Sequence, residues 1–143
     1  MTNKKPLIAI VDDDESVCRA LERLVRSLGM TAETYTGSAD FMDQFEALPG
    51  FRPDCVILDV QMPGMNGIEM QTQIRRTYKE MPVVFITAHD DRKAQEQALA
   101  GGAVAFLRKP CNDALLVRTL EAALERRRAN GQAQEPAPGK TQS

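Results

Sequence analysis

Four continuous apolar runs and one mixed segment, Thr31–Tyr35, punctuate the chain, and after each the apolar positions fall at one in every three or four residues. Leu7-Ile8-Ala9-Ile10-Val11 is short, continuous and rich in β-branched side chains, the pattern of a strand buried on both faces. It ends abruptly in acid, after which Val17, Ala20, Leu21, Leu24, Val25 and Leu28 form a helical stripe that Gly29 can stop. The alternation returns as Thr31–Tyr35 and a helix through Phe41, Met42, Phe45 and Leu48, then as Cys55–Leu58 and a helix through Ile68 and Ile74. Val83–Ile86 precedes a helix around Ala94–Ala100, and Val104–Leu107 precedes a last helix with Leu116, Leu120, Ala123 and Leu124 on one face. Repeated strand–helix units predict an α/β fold with a parallel, doubly wound sheet, since each helix carries the chain back to begin the next strand in the same direction.

From Ala129 to Ser143 there is no large apolar residue, and Gly131, Pro136, Pro138 and Gly139 interrupt the segment. Such a stretch cannot bury enough surface to offset its ordering. The reading is one domain over residues 1–128 and a disordered tail or truncated linker over 129–143, two alternatives that look alike at this level.

Composition narrows the function. A chain of 143 residues with a formal net charge of -2 and interspersed charges has no field that would draw in nucleic acid or an anionic membrane. No apolar run is long enough to span a bilayer or to serve as a secretion signal, which predicts a cytoplasmic protein. Cys18, Cys55 and Cys111 are odd in number and lack paired spacing, and His89 is the sole histidine, so neither a disulfide framework nor a zinc site is indicated. The cysteines read as small apolar residues or loop thiols.

Parallel α/β sheets bind ligands beyond the carboxyl ends of their strands. Asp12, Asp13 and Asp14 follow the first strand there, and Asp59 closes the third. If those strands are neighbours, Asp12, Asp13 and Asp59 converge, and carboxylates so placed repel one another unless a cation is bound; an all-oxygen pocket suits Mg2+, with Mn2+ able to substitute. Asp14 reads instead as the cap of the helix starting near Glu15. Thr87 and Lys109 end the fourth and fifth strands. Singly they are a strand-end hydroxyl and a surface lysine. A carboxylate nucleophile, a metal, a hydroxyl donor and a lysine together can hold and neutralise a transferring phosphoryl group.

Val11-Asp12-Asp13-Asp14, Leu58-Asp59-Val60-Gln61-Met62-Pro63-Gly64-Met65-Asn66-Gly67, Thr87-Ala88 and Lys109-Pro110 resemble the motifs of bacterial two-component receiver domains over roughly Leu7 to Arg128. Ile86-Thr87-Ala88-His89 and the Asp-Asp-Asp-Glu run are most similar to the FixJ-type branch. The resemblance implies a flavodoxin-like (βα)5 fold with strand order 2-1-3-4-5 and Asp59 as phosphoryl acceptor. It also implies metal ligation by Asp13 and Asp59 directly, by Asp12 through water and by the Gln61 carbonyl. Thr87 would bind a phosphoryl oxygen on activation, and Lys109 would pair with the phosphoryl group or with Asp59. The bond before Pro110 would be cis. Phe106 matches the aromatic that turns inward when the threonine moves, beside its plain reading as a core phenylalanine. Gln61 and His89 occupy the positions where the family tunes phosphoryl lifetime, His89 reading equally as an exposed loop residue. Cys111 departs from the pattern, which usually has a large apolar residue after the lysine-proline pair.

The implied function is a signalling phosphoacceptor rather than a metabolic enzyme. Its partners would be a sensor histidine kinase or phosphotransfer protein, a second copy of itself on phosphorylation, and neither nucleic acid nor membrane. Its output would run through the face built from the fourth helix, thinly packed through Ala94, Ala98 and Leu99, the fifth strand and the start of the last helix. Three other readings compete less well. A phosphatase of the haloacid-dehalogenase kind needs an acid where Gln61 stands, a flavin carrier needs a phosphate cradle where three aspartates stand, and an inert pseudo-receiver would not keep the full acidic set.

Overall fold

The structure, a computed structural model, describes residues 5–134. Five strands and five helices alternate: β1 (Leu7–Val11), α1 (Glu15–Ser27), β2 (Thr31–Tyr35), α2 (Ser38–Ala47), β3 (Cys55–Leu58), α3 (Gly67–Thr77), β4 (Val83–Thr87), α4 (Arg92–Ala100), β5 (Ala105–Arg108) and α5 (Asp113–Gln134). All strand pairs are parallel and the order is β2-β1-β3-β4-β5, as the resemblance implied.

Side chains along a strand point alternately to opposite faces, so each central strand feeds two cores. Ala9, Val11, Val56, Leu58, Val83 and Phe85 pack beneath α2, α3 and α4 with Phe41, Phe45, Met70, Ile74, Ala94 and Ala98. Ile8, Ile10, Cys55, Ile57, Val84 and Ile86 pack against Cys18, Leu21 and Val25 of α1 and Leu116, Leu120 and Ala123 of α5. This double burial is why the strands read as unbroken apolar runs. Edge-to-face contacts of Tyr35 with Phe41 and Phe51, and of Phe45 with Tyr78, close the rim beside α2.

The helix ends follow local chemistry. Asp14 caps α1 by accepting from the Ser16 and Val17 amides, and Gly29, at φ 82°, lets the chain leave that helix through the paired bonds of Gly29 N to Arg26 O and Met30 N to Val25 O. Asn66 and Glu69 form a reciprocal capping box on α3.

The structure differs from the periodicity in five places, the first being Leu48, which lies just past the end of α2 and is 52% exposed instead of on that helix's buried face. β4 includes Thr87, and β5 runs Ala105–Arg108 rather than Val104–Leu107, because register with β4 pairs Val84 with Ala105 and Thr87 with Arg108. Leu99 does not join Ala94 and Ala98 in the stripe of α4 but is 47% exposed. α5 continues through Arg128 to Gln134, since its alanines, arginines and glutamines are good helix formers that need no apolar stripe to extend a helix already nucleated. Residues 135–143 of the expected tail lie outside the described residues. Among the described residues no helix is long and apolar enough to cross a membrane.

Candidate functional site

The order of the strands does the first work of assembly. The Asp12 amide donates to the Tyr35 carbonyl of β2 at 3.0 Å, and the Asp59 amide donates to the Val11 carbonyl of β1 at 3.1 Å. Both bonds extend the ladders one step beyond the strands, holding the two acids side by side at the carboxyl edge of the sheet. Asp12 and Asp59 are buried, and Asp13 stands exposed at the rim. Oxygens of the three carboxylates lie within 4.8 Å of one another.

Each acid is held by its own loop. Asp12 Oδ1 accepts the Asp14 amide at 2.9 Å, and the buried Cys18 thiol donates to the Asp12 carbonyl at 3.2 Å. Asp59 Oδ1 accepts the Val60 amide at 2.8 Å. Gly67 then packs the start of α3 directly on this turn: its amide donates to the Val60 carbonyl at 2.8 Å, and a Cβ there would collide with the Asp59 carbonyl oxygen and press on Phe85. Gly67 and Cys18 thus support the acids from below. Gly67 was part of the motif read from the sequence without a role, and the thiol contact left no sequence signal.

Lys109 enters from the fifth strand. Its amide donates to the Thr87 carbonyl at 2.8 Å, and the Lys109–Pro110 peptide is cis. The ammonium lies 2.8 Å from Asp12 Oδ2 and 3.5 Å from Asp59 Oδ2. Burial by itself disfavours the charged lysine, but the hydrogen bond to Asp12 and the charges of Asp59 and Asp12 outweigh it, so its pKa lies above the ordinary value. Burial of Asp12 pushes its pKa up, against the lowering effects of its hydrogen bonds to Lys109 and the Asp14 amide. One lysine therefore faces three clustered carboxylates, leaving net negative charge among hard oxygen donors. That donor set and charge fit Mg2+ or Mn2+.

Thr87 is fully buried at the end of β4, and its Oγ1 accepts the His89 amide at 3.4 Å. Phe106 is half-buried on the neighbouring strand, its ring 5.8 Å from that of Phe85. Gln61 and His89 stand exposed in the loops after β3 and β4, and Cys111 is half-buried beyond the cis proline. Asp12, Asp13, Asp59 and Lys109 are thus brought into one cluster, whereas the side chains of Gln61 and His89 are joined to it by position alone.

The family model of the response regulator receiver domain matches residues 8–121. Nodulation protein W of Bradyrhizobium diazoefficiens is 39% identical over 133 residues, covering 91% of this chain and 56% of the relative. The transcriptional regulatory protein FixJ of the same organism is 34% identical over 117 residues, covering 82% of this chain and 56% of that protein. The chain therefore spans about half the length of these curated relatives. The crystal structure of a response regulator receiver protein from Burkholderia phymatum superposes with a TM-score of 0.76 at 56% identity, covering 85% of this chain and 96% of that one. With its acids and lysine gathered on the strand order that this family shares, the chain belongs to the response-regulator receiver domains of two-component signalling systems.

Proposed function

We propose that this receiver takes a phosphoryl group onto Asp59 from a histidine kinase or phosphotransfer protein, and that the modification changes the face formed by α4, β5 and the start of α5. The observation that carries the reading is the environment of Asp59: a buried strand-end carboxylate with a second buried acid and an exposed one beside it and an ammonium 3.5 Å from Oδ2. In the transfer, an Asp59 oxygen forms the new bond to phosphorus as the phosphorus–nitrogen bond of the donor phosphohistidine breaks. The electron pair of that bond leaves with the imidazole, which takes up a proton.

Asp12, Asp13 and Asp59 with the Gln61 main-chain carbonyl would hold Mg2+, which neutralises phosphoryl and carboxylate charge when bound. Lys109 then serves as the fixed cation for the added oxygens, which can compete with Asp12 for its ammonium. Among the described residues the Thr87 hydroxyl takes part in a single long bond, from the His89 amide, which leaves it able to turn toward a phosphoryl oxygen. The space it leaves would lie on the sheet face that carries Phe106, two residues before Arg108, the β5 partner of Thr87. Gln61 and His89, exposed above the acceptor, would govern access of hydrolytic water. Exposed Leu99 on α4 and Leu115 on α5 offer apolar area for pairing of two modified copies. A small acyl phosphate is the direct probe: acetyl phosphate and Mg2+ should give a single acid-stable, base-labile adduct, absent from Asp59→Asn. The same adduct forming in that variant at the wild-type rate would sink the assignment, and sedimentation of the modified protein tests the pairing.

A further inference from the structure

Helix α4 is held very differently at its two ends. At its carboxyl end Gly102, at φ 96°, closes a tight exit in which Gly102 N donates to Leu99 O and Ala103 N to Ala98 O, both at 3.0 Å. The Ala98 carbonyl also accepts the Gln71 side-chain amide of α3 at 2.9 Å, and Gln71 is only 2% exposed. A methyl group on Gly101 would stand 2.8 Å from Gln71 Oε1, and one on Gly102 would stand 2.8 Å from the Arg75 guanidinium. The two glycines are therefore the surface on which Gln71 and Arg75 lie. Arg75 in turn donates to the Met81 carbonyl at 3.1 Å, and Arg126 of α5 donates to the Gly102 carbonyl at 3.3 Å. α3 and α5 both reach this one end, and the Met81 carbonyl holds Arg75 in place against it.

Among the described residues the amino end has no comparable hold. Ala88, His89 and Asp90 are exposed, and Asp91 caps its own helix through the Ala94 amide at 3.0 Å. The ion pair of Asp90 with Arg108 joins side chains 85% and 53% exposed, a kind of contact that fixes little. Ala94 anchors this half with a single methyl group. The loosely held end is also the end that follows directly from Thr87.

We propose that α4 is a lever pivoting at Gly101–Gly102, with Gln71 as the residue that sets the pivot, so that displacement delivered at Thr87 swings the amino end while the carboxyl end stays in place. What drives the swing rests on the phosphoacceptor reading; where the helix turns does not. A buried side-chain amide suits this role, because its bond is lost with a desolvation penalty whenever that end moves, whereas methyl contacts at the other end can slide.

Hydrogen exchange on the whole chain tests the pivot without any phosphoryl group. In the unmodified wild type, amides of residues 100–103 should exchange more slowly than those of 95–97, the reverse of ordinary end fraying. Gln71→Met removes the bond at similar volume, and Gly101→Ala displaces the same amide from the other side. Each should speed exchange at 100–103 by about tenfold. After treatment with acetyl phosphate and Mg2+, wild-type exchange should rise over 88–97 and hold at 100–103. The pivot is overturned by residues 100–103 exchanging as fast as 95–97 in the wild type, by no change there in both variants, or by equal loosening of both ends on modification. Intact mass read on the same samples separates the two readings: a missing Asp59 adduct refutes the phosphoacceptor, while the unmodified arm still decides the pivot.

Discussion

Lys109 is the cation on which the two buried carboxylates depend. Truncating it leaves Asp12 and Asp59 facing each other without compensation, a case in which loss of one partner costs more than the intact pair contributes. Because the lysine side chain is 18% exposed and water screens part of the effect, Lys109→Ala should lower stability by about 1–3 kcal/mol at neutral pH. Urea unfolding in chelator should show the full loss and unfolding in Mg2+ a smaller one; equal stability of variant and wild type in chelator would contradict the arrangement. Gly67 is the second residue on which the site turns, for a different reason. Its hydrogen is the only substituent that fits above the Asp59 carbonyl, which belongs to backbone that cannot move aside cheaply. Gly67→Ala should therefore cost about 2–3 kcal/mol in the same assay. It should also slow phosphorylation of Asp59 by acetyl phosphate, because relief requires shifting the acceptor's own turn. A variant as stable as the wild type would mean that α3 can retreat without the acceptor.

At the scale of elements, the central strands were the most legible part of the sequence because both of their faces are buried, which writes an uninterrupted apolar run; the edge strand β2, with exposed Glu33 and Thr34, carries no such mark. The helices were legible as far as their stripes went. Leu99 misled because a short, alanine-rich helix leaves its buried arc poorly determined, and the end of α5 was hidden because nothing apolar marks a helix that projects past the core. The hold of Gln71 on the Ala98 carbonyl joins residues 27 positions apart and leaves no local trace. The acidic run after β1 shows how an element divides roles among like residues. Asp14 accepts the Ser16 and Val17 amides at the start of α1, while Asp12 and Asp13 turn to the cluster. Asp14→Ala should thus lose about 1 kcal/mol of stability by removing the cap and still be stabilised by Mg2+. Asp13→Ala should keep the cap and lose most of the Mg2+ response. Thermal melts of both variants with and without the ion decide between these roles, and a lost response in Asp14→Ala would reverse them.

For the molecule as a whole, the site was readable because the fold converts order in sequence into place at one edge. Acids, hydroxyl and lysine each follow a strand, and a parallel sheet puts every strand's carboxyl end on the same side. The support beneath them was not readable, since the Cys18 thiol and the Gly67 contact depend on how each acidic loop folds back on the helix that follows it, six to eight positions along the chain. The same geometry ties ligand binding to global stability. Bringing Asp12, Asp13 and Asp59 within 4.8 Å concentrates charge that the unfolded chain disperses, and Lys109 offsets only part of it. An ion that binds the folded cluster and not the unfolded chain must then stabilise the fold by an amount that grows with the logarithm of its concentration above its dissociation constant. At a Mg2+ concentration about a hundredfold above its dissociation constant the gain is about 2.7 kcal/mol, a rise of roughly 10 °C in Tm for a domain of this size. The rise should be concentration-dependent, shared by Mn2+ and reversed by chelator, while a singly charged cation at equal ionic strength should produce little of it. A melt indifferent to Mg2+ at millimolar concentration would mean that the three carboxylates are balanced within the protein alone.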